Sequence, residues 1–155
     1  MPPLLKIWSK RFATLFGVGF APFAPGTAAS LVSLPFAFLI QKFCGASWLF
    51  AATIVASIVG VWACELYARQ TGNEDPSEAV IDELAGQWLA CSLAPLSIAG
   101  YAAAFVLFRF FDMTKIWPVS AAERARGGWG VMLDDIVAGL IAGIIVSLLH
   151  YWKVI

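Results

Sequence analysis

Charge is what this sequence has least of. Only 13% of its 155 residues are Asp, Glu, Lys or Arg, against about 25% in an ordinary soluble domain. No acidic residue occurs before Glu65 or after Asp135. Net charge is zero, and the basic residues form no stripe interleaved with aromatics, which sets nucleic-acid binding aside. Histidine occurs once, as His150 near the C-terminus. The three cysteines, Cys44, Cys64 and Cys91, are far apart and form no CxxC pair. A His/Cys metal site and a disulfide framework are therefore excluded, and the cysteines read as small core or lipid-facing residues. The N-terminal MPPLLKIWSKRF is basic and amphipathic, without a clean apolar core or a small-residue cleavage site. It is expected to be an amphipathic segment and not a cleaved signal peptide.

What is abundant is apolar sequence. Hydrophobic residues make up 61% of the chain, and mean hydropathy is +0.82. Trp48–Cys64 and Ile136–Trp152 are uncharged runs of nearly the roughly 20 residues that span a bilayer. Ala28–Ile40 is shorter and contains Pro35, and Leu84–Phe108 is long and interrupted by Pro95, Ser97 and Gly100. No internal repeat is visible. The interrupted run is either one kinked span or a hairpin of two short helices, and the positive residues decide between them. A hairpin gives helices near 27–40, 46–66, 78–94, 97–110 and 134–152. Lys6, Lys10, Arg11, Arg69, Arg109, Lys115, Arg124 and Arg126 then fall on one side, and only Lys42 and Lys153 on the other. A single span would split them evenly. The expected fold is all-α: a small polytopic membrane helical bundle of about five apolar helices, some short or re-entrant, with a cytoplasmic N-terminus. It forms one domain over 1–155, with 1–26 a cytoplasmic amphipathic segment and loop.

The same topology gathers every carboxylate on the cytoplasmic side. Asp75-Pro76-Ser77-Glu78 reads as a helix start, with Asp75 as N-cap and Pro76 at the first helical position. Capping leaves Asp82 and Glu83 unexplained. Asp82 shares a face with Glu78 at i,i+4, a repulsion that a cation would remove. Charge beside hydrocarbon points to function. In FRFFDMTK, Arg109, Asp112 and Lys115 recur at spacings of three, the pattern of one helix face: Asp112 a metal ligand, Arg109 and Lys115 phosphate binders. The bland alternative is a snorkelling helix end with a local ion pair. Gly127-Gly128-Trp129-Gly130 runs into Asp134-Asp135, a bare loop whose amides suit a phosphate, followed by acids suited to a cation or to the helix dipole. Gly139 and Gly143 form a small-residue face for close helix packing. Thr27, after the Gly- and Pro-rich entry at 17–26, is a candidate cap and joins Gly127 and Gly128 as a candidate phosphate contact.

Four stretches carry a resemblance: GVGFAPFAPGTAASL at 17–31, VIDELAGQW at 80–88, FRFFDMTKIWPV at 108–119 and GGWGVMLDDIVAG at 127–139. In this order and spacing they resemble the phosphatidylglycerophosphatase A family, over almost the whole chain. Ile116 stands where the family commonly has proline, and Ala28-Ala29 where a glycine is usual; neither alters a chemical group of the site. The resemblance implies an integral membrane phosphatase of the bacterial inner membrane. It implies Mg²⁺ as cofactor and phosphatidylglycerophosphate as the phospholipid substrate. It places metal ligands at Asp82, Glu83, Asp112, Asp134 and Asp135, catalytic carboxylates at Asp82, Glu83, Asp112 and Asp135, and phosphate contacts at Arg109 and Lys115. Hard oxygen donors suit Mg²⁺. The missing HCx5R, DxD and histidine patterns disfavour a Cys, haloacid-dehalogenase-type Asp or His nucleophile, so a metal-activated water with an acidic base is expected; an aspartyl-phosphate intermediate stays open. Competing readings are a phosphatase for another lipid headgroup, a small ion-coupled transporter and a structural membrane subunit. The transporter reading calls for charges at mid-membrane on both halves of a repeat.

Overall fold

The computed structural model describes residues 1–125 and 127–155; Arg126, counted above among the positive residues, lies outside them. Among the described residues there are helices and no strands. They are α1 (Pro3–Ala13), α2 (Pro25–Cys44), α3 (Ala46–Thr71), α4 (Ile81–Leu93), α5 (Ile98–Thr114), the short α6 (Val119–Ala122) and α7 (Gly128–Tyr151), with a 3-10 turn at Leu15–Phe20. Three of them, α2, α3 and α7, are long and apolar enough to cross a membrane. Their surfaces are inverted relative to a soluble protein. Phe36, Phe43, Ile58 and Leu148 are exposed, while Asp112, Asp134 and Asp135 are buried. Apolar side chains outside and carboxylates inside suit a lipid surround.

Helix boundaries differ from the sequence expectation where tertiary contacts override local signals. The first apolar helix is not a short re-entrant piece. With 20 residues it reaches about 30 Å, long enough to span, because Pro25 is tolerated at its N-terminus, Pro35 is accommodated inside it, and only Gly45 at φ 97° stops it. Asp75 does not cap a helix at Pro76. Residues 76–79 form a turn, the Val80 N–H donates to the Ala13 carbonyl at 2.8 Å, and α4 begins only at Ile81. Glu78 therefore does not share a helical face with Asp82. At the other end, α7 begins at Gly128, so Asp134 and Asp135 lie in its second turn and do not open it.

The interrupted apolar stretch is a hairpin. α4 ends at Leu93, and Ser97 accepts a hydrogen bond from the Gly100 N–H at 3.0 Å to start α5. The turn is tied to α2: Gln41 Nε2 donates to the Ala94 carbonyl at 3.0 Å, and the Tyr101 hydroxyl donates to Gln41 Oε1 at 2.5 Å. With 13 residues, α4 reaches about 20 Å and is enclosed by α2, α3, α5 and α7.

α4 and α7 form the most extensive helix pair of the bundle. A Cβ on Gly139 would run into the Gly86 backbone, and one on Gly86 would meet the Asp135 carbonyl at 2.6 Å. Small residues let helix backbones touch in lipid, where association relies on packing. Gly139→Ala is expected to cost about 1–3 kcal/mol by overpacking, read as a lower melting temperature in detergent. Leu140→Ala, at an exposed position one residue on, should leave the melting temperature near that of the parent.

Candidate active site

The Gly86–Gly139 contact lies one helical turn beyond two acidic pairs, Asp82/Glu83 on α4 and Asp134/Asp135 on α7. Holding the backbones together there brings both pairs to the same depth. The hairpin turns α5 so that its last turn, carrying Arg109 and Asp112, returns to the start of α4. Lys115 follows as the left-handed C-cap of α5 at φ 50°. The result is one cavity of about 500 Å³ lined by Asp82, Glu83, Asp112, Asp134 and Asp135 together with Arg109 and Lys115.

Each charged group has a definable environment. Arg109 Nη1 pairs with Glu83 and lies 2.7 Å from Asp112 Oδ2. Lys115 Nζ pairs with Asp134 and lies 3.5 Å from Glu123. Lys115 sits beyond the end of α5. Its partial burial alone would lower the ammonium pKa, but the hydrogen bond to Asp134 and the charges of Asp134, Asp112 and Glu123 outweigh that and hold it above the ordinary lysine value. On the lysine side, the pair's stability is fully present below the pKa of a free lysine and is lost only in stronger alkali; it also requires Asp134 to be ionised.

The acids remain in excess. Asp82, Glu83, Asp112, Asp134 and Asp135 outnumber Arg109 and Lys115, and Glu74, Asp75 and Glu123 add further carboxyl groups to the lining. Glu83, Asp112 and Asp135 each offer an oxygen, and the three oxygens lie within 4.8 Å of one another. Asp82 Oδ1 and Asp135 Oδ2 are buried with no hydrogen-bond partner among the described residues, as is Arg109 Nε. An unpaired buried carboxylate oxygen is costly. A hard divalent cation at the convergence of Glu83, Asp112 and Asp135 would offset that cost at Asp135, and the all-oxygen donor set matches one. The residues present fit a bound metal.

Not every sequence candidate reaches the cavity in the expected way. Thr27 lies in the first turn of α2 and does not line the wall; its neighbours Pro25 and Gly26 do. Gly26 abuts the Glu83–Arg109 pair closely enough that a Cβ would strike Glu83. Gly127, at φ 63°, lines the cavity. Gly128 does not, because its N–H donates to Glu65 Oε2 of α3 at 3.0 Å. Glu65, Glu74 and Glu123 had no pattern to single them out. Glu74 and Glu123 stand in loops at the rim, and Glu65 looks like one half of an i,i+4 surface pair with Arg69 until the fold brings Gly128 to it.

The dipole explanation fares differently at the two pairs. Asp82 and Glu83 occupy the first turn of α4, where the helix dipole favours them. Asp134 and Asp135 lie past the first turn of α7, so neither caps it; Asp134 is paired with Lys115, and Asp135 is buried among the other carboxylates by the helix packing.

The chain is similar to known proteins over most of its length. The family model described as Phosphatidylglycerophosphatase A matches residues 11–150. A phosphatidylglycerophosphatase A of Escherichia coli (strain K12) is 39% identical over 142 residues, covering 88% of this chain and 81% of the relative. One from Haemophilus influenzae is 32% identical over 139 residues, covering 88% and 85%. A Bacteroides thetaiotaomicron protein, provisionally named a phosphatidylinositol-3-phosphatase, is 39% identical over 146 residues, covering 89% and 91%. No solved structure matches. The chain carrying this cavity belongs to the phosphatidylglycerophosphatase A family.

Proposed function

We propose that this protein is a Mg²⁺-dependent lipid phosphatase that hydrolyses the terminal phosphomonoester of phosphatidylglycerophosphate, giving phosphatidylglycerol and phosphate. The observation that carries the reading is the convergence of Glu83, Asp112 and Asp135 in one cavity with Arg109 and Lys115, in a chain of this family. A phosphomonoester dianion needs positive charge to approach and a way to disperse charge as it reacts. Orientation is part of the proposal. Lys6, Arg69, Arg109, Lys115 and Arg124 belong to the cavity end of the bundle, and Lys42 and Lys153 to the opposite helix ends, which supports a cytoplasmic cavity in a bacterial inner membrane.

Roles within the cavity follow from what each carboxylate already does. Glu83, Asp112 and Asp135 are the proposed ligands. Bound there, Mg²⁺ supplies charge neutralisation at the phosphoryl oxygens and a more acidic attacking water. Asp134 is engaged by Lys115 and serves to position that ammonium. Asp82 is the carboxylate with a buried oxygen to spare outside the ligand trio, so it is the proposed base that takes a proton from water. As the new P–O bond forms, the ester P–O bond breaks, and the proton taken by Asp82 returns through solvent to the leaving glycerol oxygen, which restores the carboxylate. Arg109, with Nε unpartnered, and Lys115 hold the phosphoryl oxygens as their hydrogen bonds shift from carboxylate to substrate.

The deciding experiment is phosphate release by purified protein from phosphatidylglycerophosphate in mixed micelles. Release should require Mg²⁺, stop on chelation and resume on re-addition; release that persists without divalent cation overturns the metal assignment. The Bacteroides relative's name makes phosphatidylinositol 3-phosphate the competing substrate, and kcat/KM for it should be the lower of the two. Asp82→Asn should lower kcat by about 10²–10⁴-fold, the usual worth of a general base. It should leave Mn²⁺ binding, followed by electron paramagnetic resonance, close to that of the parent. Asp135→Asn should weaken Mn²⁺ binding itself, which separates base from ligand.

A further inference from the structure

Arg69, Arg109 and Lys115 all face carboxylates. Lys6, Lys10 and Arg11 on α1 do not: among the described residues none of them forms an ion pair, and all three are exposed. The absence of any acidic residue before Glu65 leaves this positive charge unopposed along the chain. The cations stand over aromatic rings instead, Lys10 Nζ at 5.3 Å from the Phe20 centroid and Arg11 Cζ at 5.5 Å from that of Trp8. Around them Leu4, Trp8, Phe16, Phe20 and Phe23 are exposed.

This surface is held against the cavity wall. Gln70 Nε2 of α3 donates to Ser9 Oγ at 2.6 Å, and Phe12 packs on Trp62 with centroids 6.4 Å apart. The Ala13 carbonyl accepts from the Val80 N–H, and a Cβ on Gly19 would strike the Glu78 carbonyl. Ala79 and Val80 line the acidic cavity. A basic helix with exposed aromatics and leucines is suited to the headgroup region of a membrane, where the apolar face enters the acyl boundary and the cations meet lipid phosphates.

We propose that α1 and the 3-10 turn after it form a docking surface for the phosphate groups of anionic phospholipids, built from Lys6, Lys10 and Arg11 and seated in the interface by Trp8, Phe16 and Phe20. The surface gathers anionic lipid beside the cavity through residues that the chemistry does not use. In its link to turnover the proposal rests on the lipid-phosphatase reading; the binding itself does not.

The test is energy transfer from protein tryptophan to a pyrene-labelled anionic phosphodiester lipid, with the full chain in neutral detergent micelles. The parent should bind it with an affinity that falls as salt rises. The triple substitution Lys6→Gln, Lys10→Gln, Arg11→Gln, at exposed positions, should weaken binding by about tenfold or more and flatten the salt dependence. In phosphate release the same variant should raise the mole-fraction KM and leave kcat unchanged. Equal lipid binding by variant and parent overturns the proposal, and assigns these cations to membrane orientation alone. If the parent releases no phosphate, the reading of the cavity fails while the binding comparison still decides this one.

Discussion

The contact between Gly86 and Gly139 is the constraint on which the site depends. Two helices carrying acidic pairs can bring them to one cavity only if their backbones approach closely one turn away, and a Cβ on either glycine closes that gap. The arrangement opposes itself electrostatically, since the packing that favours the bundle forces carboxylates together. Arg109 and Lys115 relieve part of the repulsion by pairing with Glu83, Asp112 and Asp134. The rest stays with Glu83, Asp112 and Asp135, whose oxygens converge, and with the unpartnered oxygens of Asp82 and Asp135. In this account a cation completes the fold's charge balance as well as supporting the proposed chemistry.

The hairpin of α4 and α5 shows how the bundle places a polar site at one end of an apolar structure. α4 is too short to cross, and its polar starting turn and the last turn of α5 return to the same end. The opposite end is closed by the Gln41 amide, which donates to the Ala94 carbonyl at the hairpin turn and accepts from the Tyr101 hydroxyl. The Ala94 carbonyl freed at that turn is thus satisfied within the protein, as a lipid surround requires.

Much of this was legible in the residues. Apolar runs with so few charges imply a helical membrane bundle, and the lopsided distribution of Lys and Arg selects the hairpin. Asp82, Glu83, Asp112, Asp134 and Asp135 stand out because charge is rare and expensive in such a chain. The legible part ends at helix boundaries. Asp75-Pro76 has every local mark of a helix start, yet the Val80 N–H bonds to Ala13, a contact that no local pattern encodes. Gly127-Gly128 looks like a loop free to hold an anion, yet Glu65, remote in sequence, takes the Gly128 N–H. Thr27 looks like a cap, but α2 starts at Pro25 and the helix places Gly26, not Thr27, against the charged pair.

The sequence by itself determined the apolar character of the chain, the helical class, and which charged side chains stand out as candidates for chemistry, because composition, run length and charge are properties of residues. Only the tertiary structure decided how the acids are placed and paired: Asp134 held by Lys115, three oxygens converging from α4, α5 and α7, and Asp82 left with an unpartnered oxygen. That placement depends on helix crossing depth and on where each helix begins, and both are set by contacts between residues far apart in the chain.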